Sequence, residues 1–272
     1  MASEEQVVTL TTPDGYALAH RLWRPAAPRG ILLLSTGVMS HAGWWAPIAP
    51  RLMQAGLMVV GADRRGSGLN PVGRGDVPSA QTLVDDLALV RSHYAGPPLF
   101  VAGWCWGAVL SLAALPQLGE VAGLILLAPG LFPTSLIKER ARALEADAPT
   151  TPEDAPLMKS PITDELFTVG PGRDFIAADP LALRAYSPRF RAAMQKLGFS
   201  AGARLSRLVG PTLLVLAAED QVTDNAATQK AFARVGSLEL AQLPGAHGLQ
   251  FDAPEALAAR MIQFCEAHLG PA

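Results

Sequence analysis

A short apolar segment, a five-residue turn and a helix follow one another between residues 98 and 115. Residues 98–102 are apolar, as in a buried strand, and residues 108–115 have the pattern of a helix that ends near Pro116. The turn between them consists of Gly103, Trp104, Cys105, Trp106 and Gly107. The middle residue of such a turn is held in a strained conformation, so its neighbours in space must lack side chains. The two glycines therefore predict a nucleophile elbow centred on Cys105, although a free cysteine is more commonly a buried core residue.

The composition argues against several classes of protein. Of the 272 residues 17% are charged and the formal net charge is −2, so a nucleic acid or an anionic membrane is not an expected partner. Residues 1–6 carry no secretory signal, and no apolar run is long enough to anchor the chain in a membrane. The two cysteines, Cys105 and Cys265, are far apart, which argues against a structural disulfide and favours a cytoplasmic location. No Cys/His spacing indicates a metal site, and we expect no cofactor.

Apolar segments of strand length alternate with helical patterns along most of the chain. The pattern predicts a hairpin around residues 13–15 and buried strands at 31–34, 57–62, 98–102, 121–127, 211–216 and 238–243. Helical periodicity lies between most of these strands, for example from Ser79, a suitable N-cap, to about Tyr94. Such alternation indicates βαβ units, so we expect an α/β fold with a mostly parallel sheet and helices on both faces.

The alternation stops between residues 131 and 208. This segment has helical patches around 135–146 and 181–197, eight prolines and no apolar run of strand length. It is too long for a loop and too apolar for a disordered linker. We therefore predict an inserted helical cap at 131–208, with residues 1–130 and 209–272 forming the core.

A thiol nucleophile needs a general base, and that base needs an orienting acid. With this kind of elbow the three residues follow one another as nucleophile, acid and histidine. His247 lies in a glycine-flanked loop after the last predicted strand, in the third position of that order. The loop after strand 211–216 carries three candidate acids, Glu219, Asp220 and Asp224. Taken alone, a loop histidine or carboxylate is more often a solvated residue without a catalytic role.

Five segments resemble the α/β-hydrolase superfamily, and most of all its capped branch of monoacylglycerol lipase-like, lysophospholipase-type enzymes. They are residues 36–38, 63–68, 103–107, 217–222 and 244–248, so the resemblance extends over essentially the whole chain. It implies an α/β-hydrolase fold with an eight-stranded, mostly parallel sheet. It also implies a catalytic triad of Cys105, His247 and Asp220, the last preferred over its two neighbouring acids because it matches the family pattern.

The same resemblance implies an oxyanion hole made of backbone. By position, its two N–H groups belong to Val38 and to Trp106. Members of this branch usually have a histidine where this chain has Thr36. Because the hole is made of backbone, that difference does not remove it.

Cys105 stands where most members of the superfamily have serine. Dienelactone hydrolases, polyester synthases and the aminoacyl shuttle enzymes of peptide-antibiotic pathways are similar in having cysteine there. An acyl-cysteine is a thioester, which is higher in energy than an oxygen ester, so an activated donor is needed to form it. It passes its acyl group readily to thiols and amines as well as to water. The resemblance thus implies a hydrolase or acyltransferase for thioesters, lactones or reactive esters, with small acyl substrates, on coenzyme A or a carrier protein, as candidate donors.

Further residues are assigned to substrate binding. Trp44, Trp45 and His41 are predicted to line the pocket, with core packing as the alternative for the tryptophans. In the cap, the residues expected to govern acyl length are Phe167, Phe175 and Leu181. A second functional hypothesis is a non-catalytic binder of small molecules on the same scaffold. A complete triad argues against it, because a binder does not need all three residues.

Overall fold

The computed structural model of the chain describes residues 5–146, 157–170 and 172–270. Its main sheet has eight strands. In spatial order they are β1 (Gln6–Thr11), β2 (Ala17–Trp23), β4 (Leu57–Ala62), β3 (Gly30–Ser35), β5 (Leu99–Trp104), β6 (Gly123–Leu127), β9 (Thr212–Ala217) and β10 (Leu238–Leu243). Strand β2 is antiparallel to both of its neighbours, and the other pairs are parallel. The expected α/β fold with an eight-stranded, mostly parallel sheet is confirmed.

The central strands are continuous apolar runs. All residues of β3, β4, β5, β6 and β9 are buried, as a parallel sheet covered on both faces requires. The helices pack in two groups. One contains α2 (Ala80–Ser92), α3 (Trp106–Ala114) and α6 (Pro188–Leu205), and the other α1 (Ala49–Gln54), α8 (Leu249–Asp252) and α9 (Pro254–His268). Helix α7 (Asn225–Phe232) connects β9 to β10.

The segment between β6 and β9 is mainly helical. It contains α4 (Ser135–Ala146), a 3-10 turn (Asp164–Leu166), α5 (Gly172–Ala178) and α6. Three elements differ from the sequence expectation. Strands β7 (Met158–Lys159) and β8 (Ala185–Tyr186) pair over two residues, too short to leave an apolar run, and α6 begins at Pro188 rather than near residue 181. Residues 147–156 and 171 of the predicted cap lie outside the described residues.

Helix α6 separates from the rest of this segment in its packing. It lies against α3 and α2, both of which belong to the core. The predicted cap, which ends at residue 208, therefore includes one helix, α6, that packs with the core helices. The domain division at 131–208 remains a prediction.

Candidate active site

Cys105 occupies a strained junction between β5 and α3. Its backbone angles are φ 56° and ψ −125°, a conformation that is costly for a residue with a side chain. The flanking glycines leave room for it. A Cβ added at Gly103 would lie 2.4 Å from the Cα of Ala108, and one at Gly107 would lie 2.3 Å from the carbonyl oxygen of Ser35. Side chains at these two positions would collide with backbone, so only glycine permits this turn.

The two loops that follow β9 and β10 bring an acid and a histidine together. The carboxylate of Asp220 accepts from His247 Nδ1, at 2.9 Å to Oδ2 and 3.1 Å to Oδ1. Its Oδ1 also accepts from the backbone N–H groups of Val222 and Thr223. The rival acids are placed elsewhere, since Glu219 is exposed and Asp224 caps α7 by accepting from the N–H of Ala227.

The electrostatics of the pair favour the charged form of both groups. Burial alone would lower the pKa of His247, but the charges of Asp220 and of an ionised Cys105 raise it to about 10. Burial would raise the pKa of Asp220, but the charge and hydrogen bond of His247, together with the two backbone N–H groups, hold it below its usual value. The Nε2 atom of His247 is buried and has no hydrogen-bond partner among the described residues. Cys105 is the titratable group that faces the imidazole besides Asp220.

Two aromatic side chains pack against the ring of His247. Trp104 donates its indole N–H to the carbonyl of His247 at 2.9 Å, and their ring centroids are 5.6 Å apart. Phe167 packs against both of these rings, with its centroid 5.7 Å from that of His247 and 5.7 Å from that of Trp104. The residue immediately before Cys105 thus positions the histidine, a role that the sequence pattern did not indicate.

A buried guanidinium braces the loop that carries Val38. Arg64 donates to the carbonyl oxygens of Thr36 (3.2 Å), Gly37 (2.6 Å) and Val38 (2.7 Å). In a trans peptide the C=O and the following N–H point in opposite directions. Because the Gly37 carbonyl is turned toward Arg64, the Val38 N–H points away from it. Gly37 itself lies against Cys105, since a Cβ at Gly37 would be 3.5 Å from the Sγ of Cys105.

Cys105 lies on the wall of a cavity of about 230 Å³. Val38 and Trp106, the two residues predicted to supply the oxyanion hole, line the same cavity. Most other wall residues are apolar and come from the segments after β6 and β9, among them Ile137, Ile162, Met194 and Val222. Ser160 and Tyr186 add two hydroxyl groups. The cavity can therefore hold a substrate whose apolar part contacts these walls and whose polar reacting group lies at the thiol of Cys105.

The structure does not bring the predicted pocket residues to this cavity. His41 donates through Nε2 to Asp179 at 2.8 Å, while its Nδ1 accepts from the N–H of Gly43. Trp44 donates its indole N–H to the same Asp179 oxygen at 2.6 Å, and Trp45 is completely buried. These side chains hold the core against the segment after β6, which the sequence pattern did not reveal because Asp179 lies more than 130 residues away.

The cap residues expected to govern acyl length are also placed elsewhere. Phe167 packs on His247, and Phe175, 47% exposed, packs on Phe251. Leu181 is not on the cavity wall either. Ile137, Ile162 and Met194 hold those positions instead.

The chain matches a known protein family over most of its length. The model of the Hydrolase_4 family, described as serine aminopeptidase S33, matches residues 26–253. The chain belongs to this family. The expected membership in the α/β-hydrolases, in the monoacylglycerol lipase-like branch, is confirmed.

Relatives within the family are similar to this chain over different lengths. Monoglyceride lipase of Homo sapiens is 30% identical over 44% of this chain, a match that spans 42% of the human protein and thus less than half of it. Monoacylglycerol lipase of Mycolicibacterium smegmatis is 26% identical over 89% of each chain. The crystal structure of a soluble variant of monoglyceride lipase from Saccharomyces cerevisiae superposes with a TM-score of 0.80, at 18% identity and 97% coverage of both chains. That likeness shows the α/β-hydrolase fold.

Two kinds of feature are absent from the described part of the chain. No helix within it has the length and apolar character needed to cross a bilayer. Nor do three or more His, Cys, Asp or Glu side chains within it come together as metal ligands could.

Proposed function

We propose that this α/β-hydrolase forms an acyl-enzyme on Cys105 and passes the acyl group to water or to a thiol or amine. The observation that carries the proposal is the strained elbow, which holds Cys105 on the cavity wall beside a buried histidine–aspartate pair. Strain of this kind persists only where the surrounding structure enforces it and is concentrated at functional sites.

The chemistry uses one proton relay. The thiol proton of Cys105 is held on Nε2 of His247 while the Sγ attacks the acyl carbonyl. A bond between Sγ and the carbonyl carbon forms while the bond to the leaving group breaks, and His247 returns the proton to that group. The acceptor then attacks the thioester carbonyl while His247 takes its proton. The bond between Sγ and the carbonyl carbon breaks, and Sγ and the proton on Nε2 are left as they were before the first attack. Asp220 fixes the tautomer of His247, and the N–H groups of Val38 and Trp106 bind the oxyanion.

The donor class follows from the nucleophile. The relatives named above are monoacylglycerol lipases, and that name refers to unactivated oxygen esters. The family to which the chain belongs is described as a serine aminopeptidase family. Converting such an ester into an acyl-cysteine is uphill, and that difference adds to the barrier. We therefore assign thioesters, strained lactones and reactive esters as donors, with monoacylglycerols as poor ones.

Intact-mass analysis tests the acyl-enzyme. The protein is mixed with the butanoyl thioester of N-acetylcysteamine, quenched in acid and mapped by peptide mass. We expect one butanoyl group on Cys105 and none in Cys105→Ala. Cys265 is an internal control, because burial raises the pKa of its thiol to about 12 and leaves it unreactive. Turnover of monoacylglycerol without any adduct, or an adduct on Cys265, would overturn the proposal.

Replacing the nucleophile separates transfer from hydrolysis. Cys105→Ser keeps the elbow but replaces the thioester intermediate by an oxygen ester, which is less able to acylate thiols and amines. With an amine acceptor and water competing for one thioester donor, the ratio of transfer to hydrolysis should fall at least tenfold in the serine variant. An unchanged ratio would show that cysteine is not selected for transfer and that hydrolysis is the natural outcome.

A further inference from the structure

The loop that carries His247, residues 244–248, is packed against the segment 167–169 as well as against the sheet. The backbone N–H of Gly248 donates to the carbonyl oxygen of Phe167 at 2.5 Å. A Cβ at Gly248 would lie 2.6 Å from the same oxygen, so a side chain there would push the two loops apart. The histidine loop therefore needs glycine after His247 in order to reach the segment 167–169.

Asp252 joins the same two loops through its side chain. Its Oδ2 accepts from the N–H of Ala246 at 2.8 Å and from the N–H of Val169 at 3.3 Å. Its Oδ1 accepts from the hydroxyl of Thr168. Gly245 permits this approach, because a Cβ at that position would lie 2.6 Å from the Cβ of Asp252. One carboxylate thus bridges the histidine loop and two consecutive residues of the other segment.

Phe167 and Thr168 together contact the histidine loop at three successive positions. The ring of Phe167 packs on the imidazole of His247, and its carbonyl binds the residue that follows. The hydroxyl of Thr168 is linked to Ala246, the residue before, through the carboxylate of Asp252. Thr168 is completely buried, so its hydroxyl needs that carboxylate as an acceptor. The backbone on both sides of the histidine is therefore held to the segment 167–169.

We propose that Asp252 and Thr168 are positioning residues for His247, and that they make its position relative to Cys105 depend on the segment 167–169. The inference rests on the proposed acyl-enzyme chemistry, in which Nε2 of the histidine exchanges protons with Sγ and with the acceptor. Such transfer requires the heavy atoms to lie within about 2.6–3.2 Å, and a misplacement of about 1 Å can cost about a hundredfold in rate. Neither positioning residue lines the cavity, so their loss affects the chemical step and not substrate binding.

Single-turnover acylation by the butanoyl thioester of N-acetylcysteamine measures that step. Thr168→Val removes the hydroxyl while keeping the shape and charge of the site, and Asp252→Ala removes all three accepted hydrogen bonds. We expect the maximal rate constant to fall about tenfold and about a hundredfold respectively, with less than about a twofold change in the half-saturating thioester concentration. Thr168→Ser retains the hydroxyl and should keep about half of the parental rate constant or more.

Thr228→Val is the matched control for Thr168→Val. Thr228 is equally buried, and its hydroxyl donates to the main-chain carbonyl of Asp224 at 2.7 Å. The control loses the same kind of hydrogen bond but should keep the parental rate constant. Equal falls in the two valine variants would refute the proposal, because a general loss of stability would then be the cause. Thermal melts verify folding, and Thr168→Val carries the test even if Asp252→Ala does not fold.

Nuclear magnetic resonance of nitrogen-15-labelled histidine reports the position of the imidazole without any turnover. Burial would lower the pKa of His247, but the charges of Asp220 and of an ionised Cys105 raise it to about 10. The effect of these charges weakens as their distance from the ring grows. We expect the pKa of His247 to fall by about one unit or more in Thr168→Val and to keep its parental value in Thr228→Val. The resonances of this histidine are assigned by their loss in His247→Gln.

The two measurements separate this inference from the proposed chemistry. A lowered histidine pKa in Thr168→Val, in a protein whose parent is not acylated by any thioester, would refute the acyl-enzyme and leave the positioning role standing. An unchanged histidine pKa in that variant would refute the positioning role, whatever the rate. An unchanged acylation rate constant in a protein whose parent is acylated would refute it as well.

Discussion

Arg64 is a charged residue whose partners are main-chain carbonyls. Its four hydrogen bonds go to the carbonyls of residues 36–38 and to the hydroxyl of Ser67. Burial lowers the pKa of Arg64 to about 10, an effect that the charge of Asp63 partly offsets, so the group is charged at neutral pH. Three carbonyl dipoles compensate for the lost solvation of that charge. The reciprocal effect is that the loop carrying Val38 is held in one conformation.

Arg64→Lys and Arg64→Met test this bracing role. Lysine lacks the planar fork that reaches three carbonyls at once, and methionine leaves them unpaired. We expect the acylation rate constant to fall about tenfold and about a hundredfold respectively, with a smaller change in KM, because the proposed oxyanion hole loses its alignment.

Stopped-flow acylation under single-turnover conditions measures the effect of both variants. Arg65→Lys is the matched control, since Arg65 is equally buried but pairs with Asp86 and Asp14. An equal fall in the rate of the control would show that general loss of stability is the cause.

The pair of His247 and Asp220 makes stability depend on pH. The pKa of His247 rises from its ordinary value of 6.5 to about 10 on folding. Between these values the folded state binds more protons than the unfolded state, so the contribution is complete below pH 6.5 and is lost as pH approaches 10. We expect the free energy of unfolding of the parent relative to His247→Gln to shrink by a few kcal/mol between pH 6 and pH 10. Urea denaturation at both pH values measures it, and a constant difference would contradict the charged pair.

At the scale of single elements, the strand–elbow–helix unit tolerates no added side chain. A Cβ at Gly103 or Gly107 would meet backbone atoms at 2.4 Å and 2.3 Å. Backbone on both sides is fixed by β3, β5 and α3, so it cannot shift cheaply. We expect Gly103→Ala and Gly107→Ala each to reduce the free energy of unfolding by about 3 kcal/mol or more, whereas Gly236→Ala, with open space around its Cβ, should change it by less than about 0.5 kcal/mol. Urea denaturation of the three variants decides, and a neutral Gly107→Ala would contradict the described junction.

Elements could be predicted where the pattern is local. Strand β4 has the same bounds as its apolar run, and helix α9 has the same bounds as its helical periodicity. The start of α6 was predicted about seven residues too early, although Ser187 at the N-cap, accepting from the N–H of Phe190, and Pro188 at the first position signal it. Chain order indicated an acid in the loop after β9, and the family resemblance indicated that this acid is Asp220, which does face His247.

Other features of the site depend on contacts that leave no mark in the sequence. Arg64 binds main-chain carbonyls, which every residue carries. Whether Trp44 lines a pocket or is buried depends on Asp179, a partner 135 residues away. Such placements follow from the tertiary arrangement of loops and cannot be derived from residue spacing.

At the scale of the whole molecule, Asp179 ties the segment after β6 to the core. Its Oδ2 accepts from His41 and from the indole of Trp44, and its Oδ1 accepts from the N–H of Leu181. Burial would raise the pKa of Asp179, but these donors hold it below its usual value. The segment that supplies part of the cavity wall is therefore held to the sheet by a buried polar cluster.

Asp179→Ala should destabilise this connection. It leaves two buried N–H donors, on His41 and Trp44, without an acceptor, and each unsatisfied donor costs about 1–3 kcal/mol. We expect the free energy of unfolding to fall by about 3 kcal/mol. Asp164→Ala is the control from the same segment: Asp164 pairs with Arg184 where both are partly exposed, so its loss should cost less than about 1 kcal/mol. Urea denaturation followed by tryptophan fluorescence compares the two variants, and equal losses would show that the buried cluster contributes no more than a surface ion pair.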